Sequence, residues 1–78
     1  RRINEALMRG GVTMIDPERT YVDAGVKIGR DTVVYPGCVL QGATRVGEGC
    51  TLLPNCRLLD AVVGDKADIN GVVDSIEL

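Results

Sequence analysis

The sequence predicts an all-β solenoid, a parallel β-helix of about three coils, preceded by one short α-helix. Three observations carry that reading. Aliphatic residues recur every six positions, at Val22, Ile28, Val34, Leu40, Val46, Leu52 and Leu58. A period of 18 lies over the period of six: VYPGCV at 34–39 returns as LLPNCR at 52–57. The composition is spare, with no Trp, no Phe and ten Gly among 78 residues. A core without large aromatics is narrow, and that many glycines imply many tight corners. A six-residue period fits strands of two or three residues joined by sharp turns, three of which close a triangular coil. Such coils stack through parallel strand pairing, about 4.8 Å apart.

Residues 1–9 fit the helix. Ile3 and Leu7 lie on one face with Met8 beside them, and Gly10-Gly11 supplies a stop. Residues 1–11 therefore read as a linker or a capping helix, either a spacer between domains or a cover over the first coil's open strand edge. The sequence opens Arg-Arg without Met inside that helix, which suggests a segment of a longer polypeptide. Residues 12–21 lead into the repeats, which occupy 22–78.

Within the repeats each face carries its own signature. One reads VYPGCV, LLPNCR and INGVVD; the next IGRDTV, VGEGCT and VGDKAD; the third VDAGVK, LQGATR and LLDAV. Four positions after each aliphatic residue stand Val26, Thr32, Cys38, Thr44, Cys50, Cys56 and Val62, small or β-branched side chains expected to point inward. Three positions after stand Gly25, Asp31, Gly37, Ala43, Gly49, Asn55 and Ala61. Five of these seven are Gly, Asn or Asp, the types that accept positive φ at a corner. The hexad at 58–62 is one residue short, and the register resumes at Val63 and Ile69. Near the end Ser75 falls on an aliphatic position, so the phase after Asp74 stays open.

Composition excludes several functions. A net charge of −2 gives no basic footprint for nucleic acid. No apolar run reaches membrane-spanning length. There is no histidine and no CxxC pair among the three cysteines, so a zinc site is not expected. GxGxxG is absent, and the Gly-x-Gly at Gly47 and Gly49 opens no helix. Reduced thiols and a cytoplasmic chain are the default.

Three groups of residues could still carry function. Cys38 and Cys56, 18 apart, are expected to stack within disulfide range, either as a redox clip or as small core fillers equivalent to Thr or Val. Asp16, Asp23, Asp31, Asp60, Asp65, Asp68 and Asp74 fall mostly at corner or outward positions and read as solvated turns rather than a metal or paired-acid site. Val33, Tyr35, Val39, Leu53 and Leu59 point outward, and an apolar column on a flat face suggests a subunit or interdomain contact.

The motif of an aliphatic residue, Gly, two free positions and a small residue, as in IGRDTV, VGEGCT and VGDKAD, resembles the bacterial hexapeptide-repeat family, whose members form left-handed parallel β-helices. Handedness rests on that resemblance, because general chain sterics favour right-handed crossovers. The order helix, Gly-Gly, VTMIDP, hexads resembles more closely the bifunctional N-acetylglucosamine-1-phosphate uridylyltransferase / glucosamine-1-phosphate N-acetyltransferase family, at its linker helix and first coils. The resemblance implies a parent that acetylates glucosamine-1-phosphate with acetyl-CoA, as a trimer. It then couples the product to UTP with Mg²⁺, giving UDP-N-acetylglucosamine for cell-wall peptidoglycan. The catalytic histidine and the Gly-rich phosphate loop of that family have no counterpart here. No catalytic, cofactor-binding or metal-binding residue is therefore expected in this segment, and its role is expected to be structural and trimer-forming. The alternative is an oligomerisation β-helix of a sugar-phosphate nucleotidyltransferase that lacks acetyltransferase activity. A γ-class carbonic anhydrase would need histidine ligands. An ice-binding helix would need threonine ladders, but Thr32 is followed by Cys50 and Thr44 by Val62.

Overall fold

The computed structural model describes residues 2–75. The helix expectation at Arg1 and the open register of residues 76–78 lie outside the described residues. Helix α1 (Arg2–Arg9) is followed by Gly11 at φ +101°. Ile3, Leu7 and Met8 pack on the core. Asn4 is fully buried, and its Nδ2 donates to the carbonyls of Pro17 and Thr20, both at 2.9 Å. One amide thus ties α1 to a 3-10 turn (Pro17–Arg19) in the first coil. Its Oδ1 has no hydrogen-bond partner.

Two- and three-residue strands then wind around three sheets. The first sheet holds β1 (Thr13–Met14), β4 (Val33–Val34), β7 (Thr51–Leu52) and β10 (Asp68–Ile69). The second holds β2 (Tyr21–Val22), β5 (Val39–Gln41), β8 (Arg57–Leu59) and β11 (Val72–Asp74). The third holds β3 (Lys27–Ile28), β6 (Arg45–Val46) and β9 (Val62–Val63). All pairings are parallel and in register, with Val34 beside Leu52, Leu40 beside Leu58 and Val46 beside Val63. Val22, Val34, Leu40, Leu52 and Leu58 are fully buried along the axis. Each contributes about 1.5–3 kcal/mol through removal from water. Coil pairing already begins in the lead-in: Met14 stands beside Val34 and is buried.

The corners are columns of left-handed residues. Gly37 and Asn55 form one, with φ of 83° and 63°; Asp31, Gly49 and Lys66 form another at 65°, 68° and 59°. Pro36 and Pro54 precede the first column and fix the entering φ, as a Pro-Gly or Pro-Asn turn requires. At the third corner the expectation shifts by one residue. Gly42 and Asp60 carry positive φ there, at 70° and 50°, rather than Ala43 and Ala61; Gly25 has none. Glycine next to the axial residue has a different cause. A Cβ on Gly29 would stand 2.6 Å from the Gly47 carbonyl carbon, so backbone packs on backbone at that edge.

Two expectations about register are corrected. Val62 was expected inside, but it is 39% exposed and Ala61 is fully buried instead. The missing residue lies within the corner after Asp60, so Ala61 takes the place that Thr44 has one coil earlier: the Lys27 N–H bonds Thr44 O, and the Arg45 N–H bonds Ala61 O. Ser75 does not reach the aliphatic column. Val73 lies beside Leu58, because Asn70-Gly71 turns in two residues where Leu53-Pro54-Asn55-Cys56 uses four. Ser75, at φ 52°, joins the corner column of Gly42 and Asp60, and its N–H donates to Leu59 O at 2.7 Å.

The inward small residues also carry polar work. Thr32 Oγ1 donates to Gly47 O at 2.9 Å and accepts the Cys50 N–H at 3.2 Å. Thr44 Oγ1 donates to Gln41 O at 2.7 Å and accepts the Ala61 N–H at 3.2 Å. The buried amides of Cys50 and Ala61 find acceptors this way where the sheet ladders offer none.

Leu40→Ala is expected to cost about 2–5 kcal/mol in urea unfolding, the range for an emptied core site. Thr44→Val, close in volume, is expected to cost about 1–3 kcal/mol because the buried Ala61 N–H loses its acceptor, while Thr44→Ser keeps most of that stability. Equal stability of the Val and Ser variants would show that the hydroxyl contributes nothing.

Candidate functional site

Acidic residues serve the corners. Asp23 Oδ2 accepts the Gly42 N–H at 2.9 Å, Asp60 Oδ1 the Ala43 N–H at 2.8 Å and Asp65 Oδ1 the Glu48 N–H at 2.8 Å. Each carboxylate reaches a backbone amide of an adjacent coil. Asp31 turns a corner itself, Asp16 precedes the 3-10 turn, and Asp74 accepts from Ser75 Oγ at 2.8 Å. Asp68 sits outward on β10. Among the described residues no three His, Cys, Asp or Glu side chains are placed to hold a metal, and no ligand-sized cavity is found. No helix there is long and apolar enough to cross a membrane.

The outward apolar residues do assemble. Strand bonding runs from the Ile15 N–H to Val34 O, from Tyr35 to Leu52 and from Leu53 to Ile69, which stacks Ile15, Tyr35 and Leu53 in one column. Val33 lies beside it between Thr13 and Thr51. Around the corner Val39 stands between Tyr21 and Arg57. Leu59, paired with Gln41 and Asp74, belongs to the far edge of that second face. Tyr35, Leu53, Val33 and Val39 are half-buried, whereas Ile15 is 53% and Tyr21 43% exposed. An 18-residue count misses Ile15, because the 3-10 turn lengthens the first coil and puts Ile15 twenty residues before Tyr35. Val72, 75% exposed beside Arg57, was missed because of the short Asn70-Gly71 corner.

All three cysteines are free and buried. Cys38 and Cys56 do stack: the Cys56 thiol donates to Cys38 Sγ at 3.2 Å, and Cys38 in turn donates to Leu53 O at 3.2 Å. The bond from Cys56 lowers the Cys38 thiol to about 7, against its burial. The same bond, then burial, pushes Cys56 up. Cys50 bonds Gly64 O at 3.1 Å and has Thr32 and Ala67 as its column neighbours, not a thiol.

Comparison with known proteins agrees with this geometry. Residues 25–60 match the family described as bacterial transferase hexapeptide (six repeats). Three proteins named "Bifunctional protein GlmU" are similar over most of the chain. That of Trichlorobacter lovleyi is 53% identical over 68 residues, 87% of this chain and 15% of that protein. That of Caldanaerobacter subterraneus is 54% identical over 69 residues, 88% and 15%. That of Clostridium botulinum is 55% identical over 73 residues, 94% and 16%. The chain thus spans about 15% of the length of the curated relatives it matches. Hexapeptide repeats of this kind fit a left-handed β-helix, and repeat, solenoid and identity together make the chain a hexapeptide-repeat solenoid that is similar, over most of its length, to one stretch of the bifunctional GlmU proteins.

Proposed function

We propose that this chain forms the linker helix and first coils of a bifunctional enzyme that makes UDP-N-acetylglucosamine, and that its own role is assembly rather than catalysis. One observation supports this most: similarity to the GlmU proteins covers 87% to 94% of the helix-and-coil stretch. In this reading the whole enzyme is cytoplasmic. It acetylates glucosamine-1-phosphate with acetyl-CoA, then transfers a uridylyl group from UTP with Mg²⁺. The chemistry resides in other parts of such an enzyme, since these 78 residues contain no histidine to serve as a base. What this stretch brings is a rigid, narrow prism with an apolar stripe, Ile15, Tyr35 and Leu53, flanked by Val33 and Val39. A second and third copy packed along such a stripe would bury surface that one short coil stack cannot bury alone.

Light scattering on a sizing column is expected to give a mass about three times 8.3 kDa. The double variant Tyr35→Glu, Leu53→Glu is expected to run as a monomer with an unchanged far-UV spectrum. A monomeric unsubstituted chain would overturn the assembly role. Turnover of glucosamine-1-phosphate and acetyl-CoA above background by the 78 residues would overturn the non-catalytic one.

A further inference from the structure

We infer that Cys38 and Cys56 are a redox-active thiol pair, which a hydroperoxide converts into a disulfide that staples the second coil to the third, while Cys50 remains a thiol. Parallel in-register stacking makes the pair. Val39 and Arg57, the residues that follow the two cysteines, are direct partners across the sheet. At an interstrand spacing of about 4.8 Å the two backbones lie within the range that a disulfide spans. The sulfurs are 3.2 Å apart, with the Cys56 S–H directed at Cys38 Sγ. Closing to about 2.05 Å requires each to move by only about half an ångström.

The hydrogen bond between them divides the roles. Cys38 accepts the Cys56 S–H, which lowers it towards about 7 and makes it the readier thiolate. Cys38 attacks the terminal peroxide oxygen, the O–O bond breaks, and the leaving alkoxide or hydroxide takes a proton. Cys38 is then a sulfenic acid. Cys56 attacks that sulfur, the S–O bond breaks, and the hydroxide leaves as water with the Cys56 proton. Two thiols have lost two electrons, and one peroxide has become water and an alcohol, or two waters. Both sulfurs are fully buried, so peroxide reaches them when a corner at Gly37 or Asn55 opens. Cys50 is almost equally buried but has no thiol in its column, and it serves as an internal control.

The test is hydrogen peroxide treatment of the folded protein, followed by alkylation of remaining thiols and peptide mapping. The expected result is loss of two alkylatable thiols, a Cys38–Cys56 cross-linked peptide, an alkylatable Cys50, reversal by dithiothreitol and a Tm raised by about 5 °C or more. Cys50→Ser is expected to behave identically, and Cys56→Ser to show neither cross-link nor Tm rise. The inference is overturned if both thiols stay alkylatable under peroxide that oxidises the urea-unfolded chain. It is overturned equally if Cys50 is consumed at the same rate, or if the Tm rise persists in Cys56→Ser.

Discussion

The structure depends on one constraint, that each residue stacks on its counterpart in the next coil about 4.8 Å away. Parallel, in-register pairing allows no lateral escape. A wide side chain on the axis must therefore sit on another that tolerates the same width, as Val22, Leu40 and Leu58 do. From the second coil to the third, a left-handed corner sits on a left-handed corner, as Gly37 does on Asn55 and Gly42 on Asp60. The same rule brings a carboxylate to a neighbouring coil's amide at Asp23, Asp60 and Asp65, and a sulfur to a sulfur at Cys38 and Cys56. Core, turns, acids and thiols are consequences of a single stacking distance.

Much of this was legible in the residues. Period and composition alone yield the three-faced coil and the axial column from Val22 to Leu58, because the constraint acts on every hexad and the signal adds up. Legibility fails where the chain length per coil changes. Counting by six detects that a residue is missing near 58–62 but not where, and the choice between Ala61 and Val62 is made by Asp60 taking Gly42's backbone conformation. Likewise Ser75 lands on a corner because Asn70-Gly71 is a complete turn in two residues, which no hexad template contains. Met14 and Ile15 were hidden by the opposite change, an enlarged first coil.

The candidate surfaces were legible to different degrees. Alternation along short strands assigns Tyr35, Leu53, Val33 and Val39 to the outside, since neighbouring side chains point to opposite faces. The stacking of Cys38 on Cys56 follows from the spacing. The direction of their hydrogen bond does not, because it depends on rotamers. Thr32 and Thr44 also read as mere fillers of a narrow core, yet their hydroxyls accept the buried Cys50 and Ala61 N–H groups, which no backbone carbonyl takes. Thr and Val are therefore not equivalent at those positions, although volume alone would make them so.

The irregular corners have a consequence for assembly of the chain itself. Perfect repeats are interchangeable, and a stack of identical coils can slip by one turn without penalty, the way a ladder can be climbed from any rung. Here the axial spacing runs from twenty residues between Met14 and Val34 to fifteen between Leu58 and Val73. A coil displaced by one turn would meet a neighbour of the wrong circumference, with its corner amides facing side chains instead of acceptors. The insertions and deletions that blur the repeat act like wards in a lock: they give each coil a single address and so help to select one winding out of several near-equal ones.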